Sequence, residues 1–167
     1  MAAAIVATPP AFSLNGRLLA VDGSQRFNAT LRWQQSDASR ILITTPLGQA
    51  LASIEADALG ARLTAADGRR YNAASLADLA RRGLGLSLPL DHLPWWLSGR
   101  AAPGLPSSSD SDGFSQAGWT VRFASRDAAG RPLRIEAECS EGCGSARMGS
   151  QSAPMSVLLI IDQWLDP

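Results

Sequence analysis

The feature that most constrains this chain is a period of two. In RFNATLRWQQ, Phe27, Ala29, Leu31 and Trp33 share one parity, and Asn28, Thr30, Arg32 and Gln34 the other. Successive strand side chains point to opposite faces, so this segment is a strand with one apolar and one wet side, the pattern of an antiparallel sheet. The preceding FSLNGRLLAV reads as its partner through Asp22-Gly23-Ser24, with Gly16 placed for a bulge or bend. RILITT and QALASIEA form the next hairpin, and ARLTAADGRRYNA another that turns at Asp67-Gly68. Further on, GWTVRFAS, with Trp119, Val121 and Phe123 inward, is followed by RPLRIEAEC and PMSVLLIIDQW.

Between the two strand-rich parts the period changes. In SLADLARRGLG, Ser75 is placed to cap a short helix, with Asp78 in a weak capping box and Leu76, Leu79 and Ala80 as the apolar stripe. Gly83 or Gly85 would end it. A second short helix fits LDHLPWWLSG, with Asp91 as N-cap, Pro94 in the first turn, and Leu93, Trp96 and Leu97 on one side. Trp95 and Trp96 are adjacent, so one faces inward while the other lies nearer the surface. RAAPGLPSSSDSDG has the composition of a mobile loop, and SEGCGSARMGSQSA that of a long flexible hairpin connection.

About six strands, two small helices and three or four more strands make a sheet that tends to curl or split. The fold expected is mainly β: an antiparallel sheet curled into an open, incomplete barrel, with short helices covering an apolar cavity. Residues 1–11 are expected to be a truncated or disordered lead-in, and residues 12–167 a single domain. No apolar run reaches the roughly 18–20 residues a membrane-spanning helix needs, and MAAAIVATPPAF lacks the basic start of a secretion signal. The formal net charge is zero, which argues against a nucleic-acid surface working through phosphates.

Chemistry is sparse. The one histidine, His92, adjoins Asp91 at a helix start without a G-x-S-x-G elbow. Acidic residues show neither the spacing of a carboxylate pair nor that of a metal site, and no glycine-rich phosphate loop follows a strand. No cofactor, no metal and no enzymatic activity are expected. Cys139 and Cys143, the only cysteines, make a poor zinc site and are either a small-loop disulfide or two free thiols. The anomaly lies elsewhere, in ILITTPLGQALA. Pro46 presets φ and Gly48 tolerates positive φ, so the chain reverses there, yet the tip between them is Leu47.

The segments LNGRLLAV, LRWQQ, ILITTPLGQALASIEA, DGRRYNAASLADLARRGLGLSLPLDHLPWWLSGRAAPG, GWTVRF and the closing IDQW resemble LolB, the outer-membrane lipoprotein receptor family of Gram-negative bacteria. The likeness runs in order from about Phe12 to Trp164, and its specificity lies in the combination of P-L-G, L-P-L…W-W-L-x-G and terminal I-D-x-W. It implies a half-barrel over an apolar interior. It also implies an activity: taking acylated lipoproteins from the periplasmic carrier LolA and inserting them into the inner leaflet of the outer membrane, without nucleotide hydrolysis. In the family the leucine of the P-L-G loop protrudes and serves insertion; that residue is Leu47 here. The resemblance also implies a location on the periplasmic face of the outer membrane and a tether through an acylated N-terminal cysteine, which is expected to be absent or truncated in the sequence as it stands.

On this reading the protein is a monomer, and the apolar faces of its strands and helices line the acyl-chain cavity. The lining would include Phe27, Leu31, Trp33, Ile41, Ile43, Leu63, Leu79, Leu93, Trp96, Trp119 and Phe123. The alternative is a soluble carrier or chaperone that holds an apolar small molecule or acylated peptide without delivering it.

Overall fold

Alternation along the chain becomes pairing between neighbours. The computed structural model describes residues 10–23, 25–84, 89–104, 106–139 and 155–165. Six strands come first: β1 (Phe12–Asp22), β2 (Gln25–Gln35), β3 (Ser39–Thr44), β4 (Ala50–Asp57), β5 (Gly60–Ala65) and β6 (Arg70–Ala73). Helices α1 (Leu76–Leu84) and α2 (Leu93–Leu97) follow, then β7 (Ser107–Ser109), β8 (Gly113–Gln116), β9 (Trp119–Arg126), β10 (Pro132–Cys139) and β11 (Met155–Leu165).

All the strands belong to one antiparallel sheet in the order β6-β5-β4-β3-β2-β1-β11-β10-β9-β8-β7. Its edges, β6 and β7, do not pair with each other, so the sheet is an open barrel. The last strand closes the middle: β11 lies against β1 along its length, with the register shifting at Asn15/Gly16. Asn15 faces Gln163 and Gly16 faces Ile161, so the extra residue of this bulge is Asp162 of β11, and Gly16 stands beside it on β1. That position has to be glycine, because an added Cβ would stand 2.6 Å from the Ile160 carbonyl oxygen.

Register sorts the core. Leu14, Trp33, Ile41, Ile54, Leu63 and Tyr71 are successive cross-strand partners from β1 to β6, so one row of large side chains crosses the concave face. The next row pairs Gly16 with Leu31, Leu31 with Ile43 and Ile43 with Ala52, which are smaller toward its ends. Both helices sit on this face: Leu76, Leu79 and Ala80 of α1 and Leu93, Trp96 and Leu97 of α2 join the strands in one buried cluster.

Three local expectations need correction. Asp91 does not cap α2. The N-cap there is His92, which makes no side-chain capping bond, while Asp91 Oδ1 accepts from the Leu76 N–H at 3.0 Å and so caps α1. Ser75 Oγ takes the Asp78 N–H of the same first turn at 3.2 Å, so α1 is doubly capped where a helix leaves its N–H groups unpaired. Gly83 does not end α1 but lies inside it, and Gly85 is outside the described residues. Finally, RAAPGLPSSSDSDG contains β7 and the turn into β8. Asp110 Oδ1 accepts from the N–H groups of Asp112 (2.9 Å) and Gly113 (2.8 Å), an Asx turn that composition alone disguises as loop. A Cβ at Gly113 would overlap the Val121 carbonyl oxygen, so only glycine lets β8 approach β9 there. The connection expected to be flexible between β10 and β11, with Cys143, and residues 1–9 of the lead-in lie outside the described residues.

Candidate functional site

The hairpin between β3 and β4 is a short, well-specified loop. The Thr45 N–H donates to Gln49 O at 2.8 Å, the Gly48 N–H donates to Thr45 O at 2.8 Å, and Gly48 has φ +89°. The same pattern recurs at 65–69, where Gly68 has φ +87°, and at 127–131, where Gly130 has φ +86°. All three are three-residue hairpin loops whose last residue takes the left-handed conformation. Their middle residues are Leu47, Asp67 and Ala129. The loop therefore does not require leucine, and Leu47 is nevertheless 91% exposed. The exposed Pro46 precedes it, fixing φ and stiffening the tip. Strand order and direction place the Leu47 loop, the 65–69 loop and the Ala117-Gly118 turn at one end of the sheet, whereas the 127–131 loop lies at the other.

The residues expected to line an interior come together in it. Leu31, Trp33, Ile41, Ile43, Leu63, Leu79, Leu93, Trp96 and Trp119 are all buried in the single apolar cluster. Phe27 and Phe123 are half-buried against it, and the Arg126 guanidinium lies 4.5 Å from the Phe123 ring centre. Of the tryptophan pair, Trp96 is inward and Trp95 half-buried. Leu14, Leu18, Ile54, Leu97, Ile135 and Met155 are as deeply buried but were not among the expected lining, although the alternation of β1, β4, β10 and β11 carried the signal for five of them and the helix stripe of α2 for Leu97. Trp33, Ile54, Leu63, Leu79 and Trp96 have no exposed surface, so no water-sized void borders these side chains.

Two buried glutamines were not foreseen. Gln35 Oε1 accepts from Trp33 Nε1 (3.3 Å) and from Ser39 Oγ (2.5 Å). Gln116 Oε1 accepts from Trp96 Nε1 (3.3 Å) and from the Ala102 N–H (2.8 Å), while its Nε2 donates to Ala102 O at 2.6 Å. Buried indole N–H groups need an acceptor, and these amides supply it. Gln35 continues the inward parity of Trp33, which is the signal by which it could have been found.

Asp22 is buried (6% exposed) at the inward parity of β1, but the ion pairs lie at the surface. Arg17 binds Asp162 (2.8 Å), which raises the Arg17 pKa chiefly through that hydrogen bond. Glu136 accepts from Arg134 Nε (3.1 Å) and Arg122 Nη2 (2.6 Å), and these bonds, the one from Arg134 foremost, hold its carboxyl below the ordinary glutamate value. Cys139 is disulfide-bonded. His92 stacks on Trp96 with ring centres 5.9 Å apart.

An open antiparallel half-barrel, helices laid over a mainly apolar interior, and a leucine held out on a stiff hairpin tip define a protein organised around apolar contact. The family model described as "Outer membrane lipoprotein LolB" matches residues 10–164. The outer-membrane lipoprotein LolB of Chromobacterium violaceum is 38% identical over 130 residues, covering 75% of this chain and 71% of the relative. The corresponding protein of Cupriavidus metallidurans is 36% identical over 154 residues (88% and 72%), and that of an Azoarcus species 31% identical over 160 residues (92% and 77%). The chain belongs to the LolB family.

Proposed function

We propose that this protein is a lipoprotein receptor of the outer membrane: it takes acylated lipoproteins from the periplasmic carrier LolA into its helix-covered interior and passes them to the inner leaflet of the outer membrane. It works as a monomer on the periplasmic face, without an enzymatic step or a nucleotide. The observation that carries the delivery step is Leu47, exposed on a loop whose geometry is met equally well by aspartate or alanine elsewhere in the same sheet. The names of the relatives support the receptor role.

The energetics require a shelter. Each methylene taken out of water is worth about 0.8 kcal/mol, so exposing an acyl chain of ordinary length costs on the order of ten kcal/mol. With no fuel, each transfer runs downhill, so the interior binds acyl chains more tightly than the donor does and less tightly than the bilayer. The inward faces of Leu31, Trp33, Ile41, Ile43, Leu63 and their neighbours supply the apolar contact, and an entering chain displaces them from one another. Leu47 acts apart from this interior, dipping into the membrane interface.

A loading-and-release experiment tests the proposal. The protein is mixed with a triacylated peptide bearing an environment-sensitive fluorophore, then with phospholipid vesicles. The expected result is capture of the probe followed by its movement to vesicles. No capture would refute the shelter. Capture without release would leave a carrier that does not deliver.

A further inference from the structure

Among the described residues the innermost side chains, Trp33, Ile54, Leu63, Leu79 and Trp96, have no exposed surface, so a lipid tail reaches them only if something on the concave face moves. The two helices are held there by different chemistry. Trp96 of α2 donates its indole N–H to Gln116, and Ala102, just beyond that helix, exchanges two hydrogen bonds with the same amide. Gln116 is 3% exposed. Pulling α2 from β8 would therefore break three buried hydrogen bonds, and an acyl chain, having no donors or acceptors, could not replace them. Trp96 also meets Phe114 and Trp119 edge-on, with ring centres 6.0 and 6.1 Å apart.

Helix α1 is held differently. Its inward residues Leu79 and Ala80 are apolar and fully buried. Gly83 lies so close to β5 that an added Cβ would stand 2.6 Å from Leu63 Cδ1 and 3.3 Å from Leu63 Cγ. The C-terminal half of the helix is tied to the sheet at the surface, where Arg82 Nη1 donates to Asn72 O at 3.0 Å. Parting this seam exposes hydrocarbon to hydrocarbon, and an incoming acyl chain replaces like with like. The opposite end of α1 is anchored by Ser75 and by Asp91, which reaches its first turn from the start of α2.

Resting on the reading that the interior shelters acyl chains, we propose that they are admitted along the seam between α1 and β5, at Gly83 and Leu63, with α1 pivoting on its doubly capped N-terminus while α2 stays fixed by Gln116.

A reversible lock tests this. In Leu63→Cys/Gly83→Cys the sulfur at position 63 falls near the site of Leu63 Cγ, 3.3 Å from the new Cβ, which is within disulfide reach. Uptake of the fluorescent triacylated peptide by the oxidised double variant should be at least about tenfold slower than by the same protein after reduction. The parent protein treated with the same reductant controls for the bond at Cys139. Hydrogen exchange on the unaltered protein gives a second readout: the peptide should speed exchange in residues 76–84 and leave 95–99 unchanged. Equal uptake with the lock closed, or faster exchange in α2 instead of α1, overturns the seam. If the parent protein takes up no probe, it is the shelter itself that fails, and the seam with it.

Discussion

Leu47→Glu should separate loading from delivery. The backbone bonds of the loop, Thr45 to Gln49 and Gly48 to Thr45, are both 2.8 Å, and the Gln49 N–H donates to Thr45 Oγ1 at 3.1 Å. None of them uses the Leu47 side chain, which is 91% exposed, so stability should change by less than about 0.5 kcal/mol. Moving an exposed leucine from water to hydrocarbon is worth about 1.5–3 kcal/mol. At about 1.4 kcal/mol per tenfold, losing that contact should weaken membrane engagement roughly 10- to 100-fold, and the glutamate charge adds a further desolvation cost. Leu47→Ala should fall between the two. The assay loads each variant with the triacylated peptide, measures capture by fluorescence, then follows transfer to vesicles and flotation of the protein with them. Capture should be unchanged and transfer lost. A glutamate variant that delivers at the parent rate would refute the reasoning. So would one that loses capture as well, since Leu47 would then belong to the acceptance step.

Two further expectations concern the scaffold. Ala117 has φ +53° beside Gly118 at +84° in the two-residue turn between β8 and β9, a conformation that asparagine adopts more readily than alanine. Ala117→Asn should therefore raise stability by about 0.5–1 kcal/mol in urea denaturation, and a loss would show that the turn is not strained. Glu136 has a depressed pKa, so its contribution is present above its ordinary value near 4.5 and fades as pH falls through the depressed one. Being a surface group, it is worth under about 1 kcal/mol. Glu136→Gln should thus be slightly less stable than the parent at neutral pH, and the gap should close as pH falls below the depressed pKa and the carboxyl takes up its proton; a gap that persists in acid would point to packing instead of charge.

The sequence by itself determined which side of each strand is greasy, where several hairpins turn and which residues make the helix stripes. Those properties are local. Side-chain parity is fixed by the pleat, as in Phe27 to Trp33, and a turn such as Thr45 to Gln49 is specified by its own proline and glycine. The same locality made Leu47 legible as an anomaly, since its neighbours already define the turn.

Tertiary structure decided who meets whom. Asp91 looked like the cap of the helix it precedes, but the fold brings it to Leu76, 15 residues away, because a carboxylate serves whichever unpaired N–H the packing delivers. Gln116 is an ordinary polar residue until β8 folds under α2 and buries it against Trp96. Gly83 reads as a helix stop, and only the approach of α1 to β5 turns its missing side chain into a close fit with Leu63. The serine-rich stretch before β8 is a strand because Asp110 and Gly113 fold it back and β9 extends the ladder. The first three depend on contacts between segments 15 to 20 residues apart, whose energy no local window of the chain contains, and the last on a side-chain turn and a ladder that composition does not display.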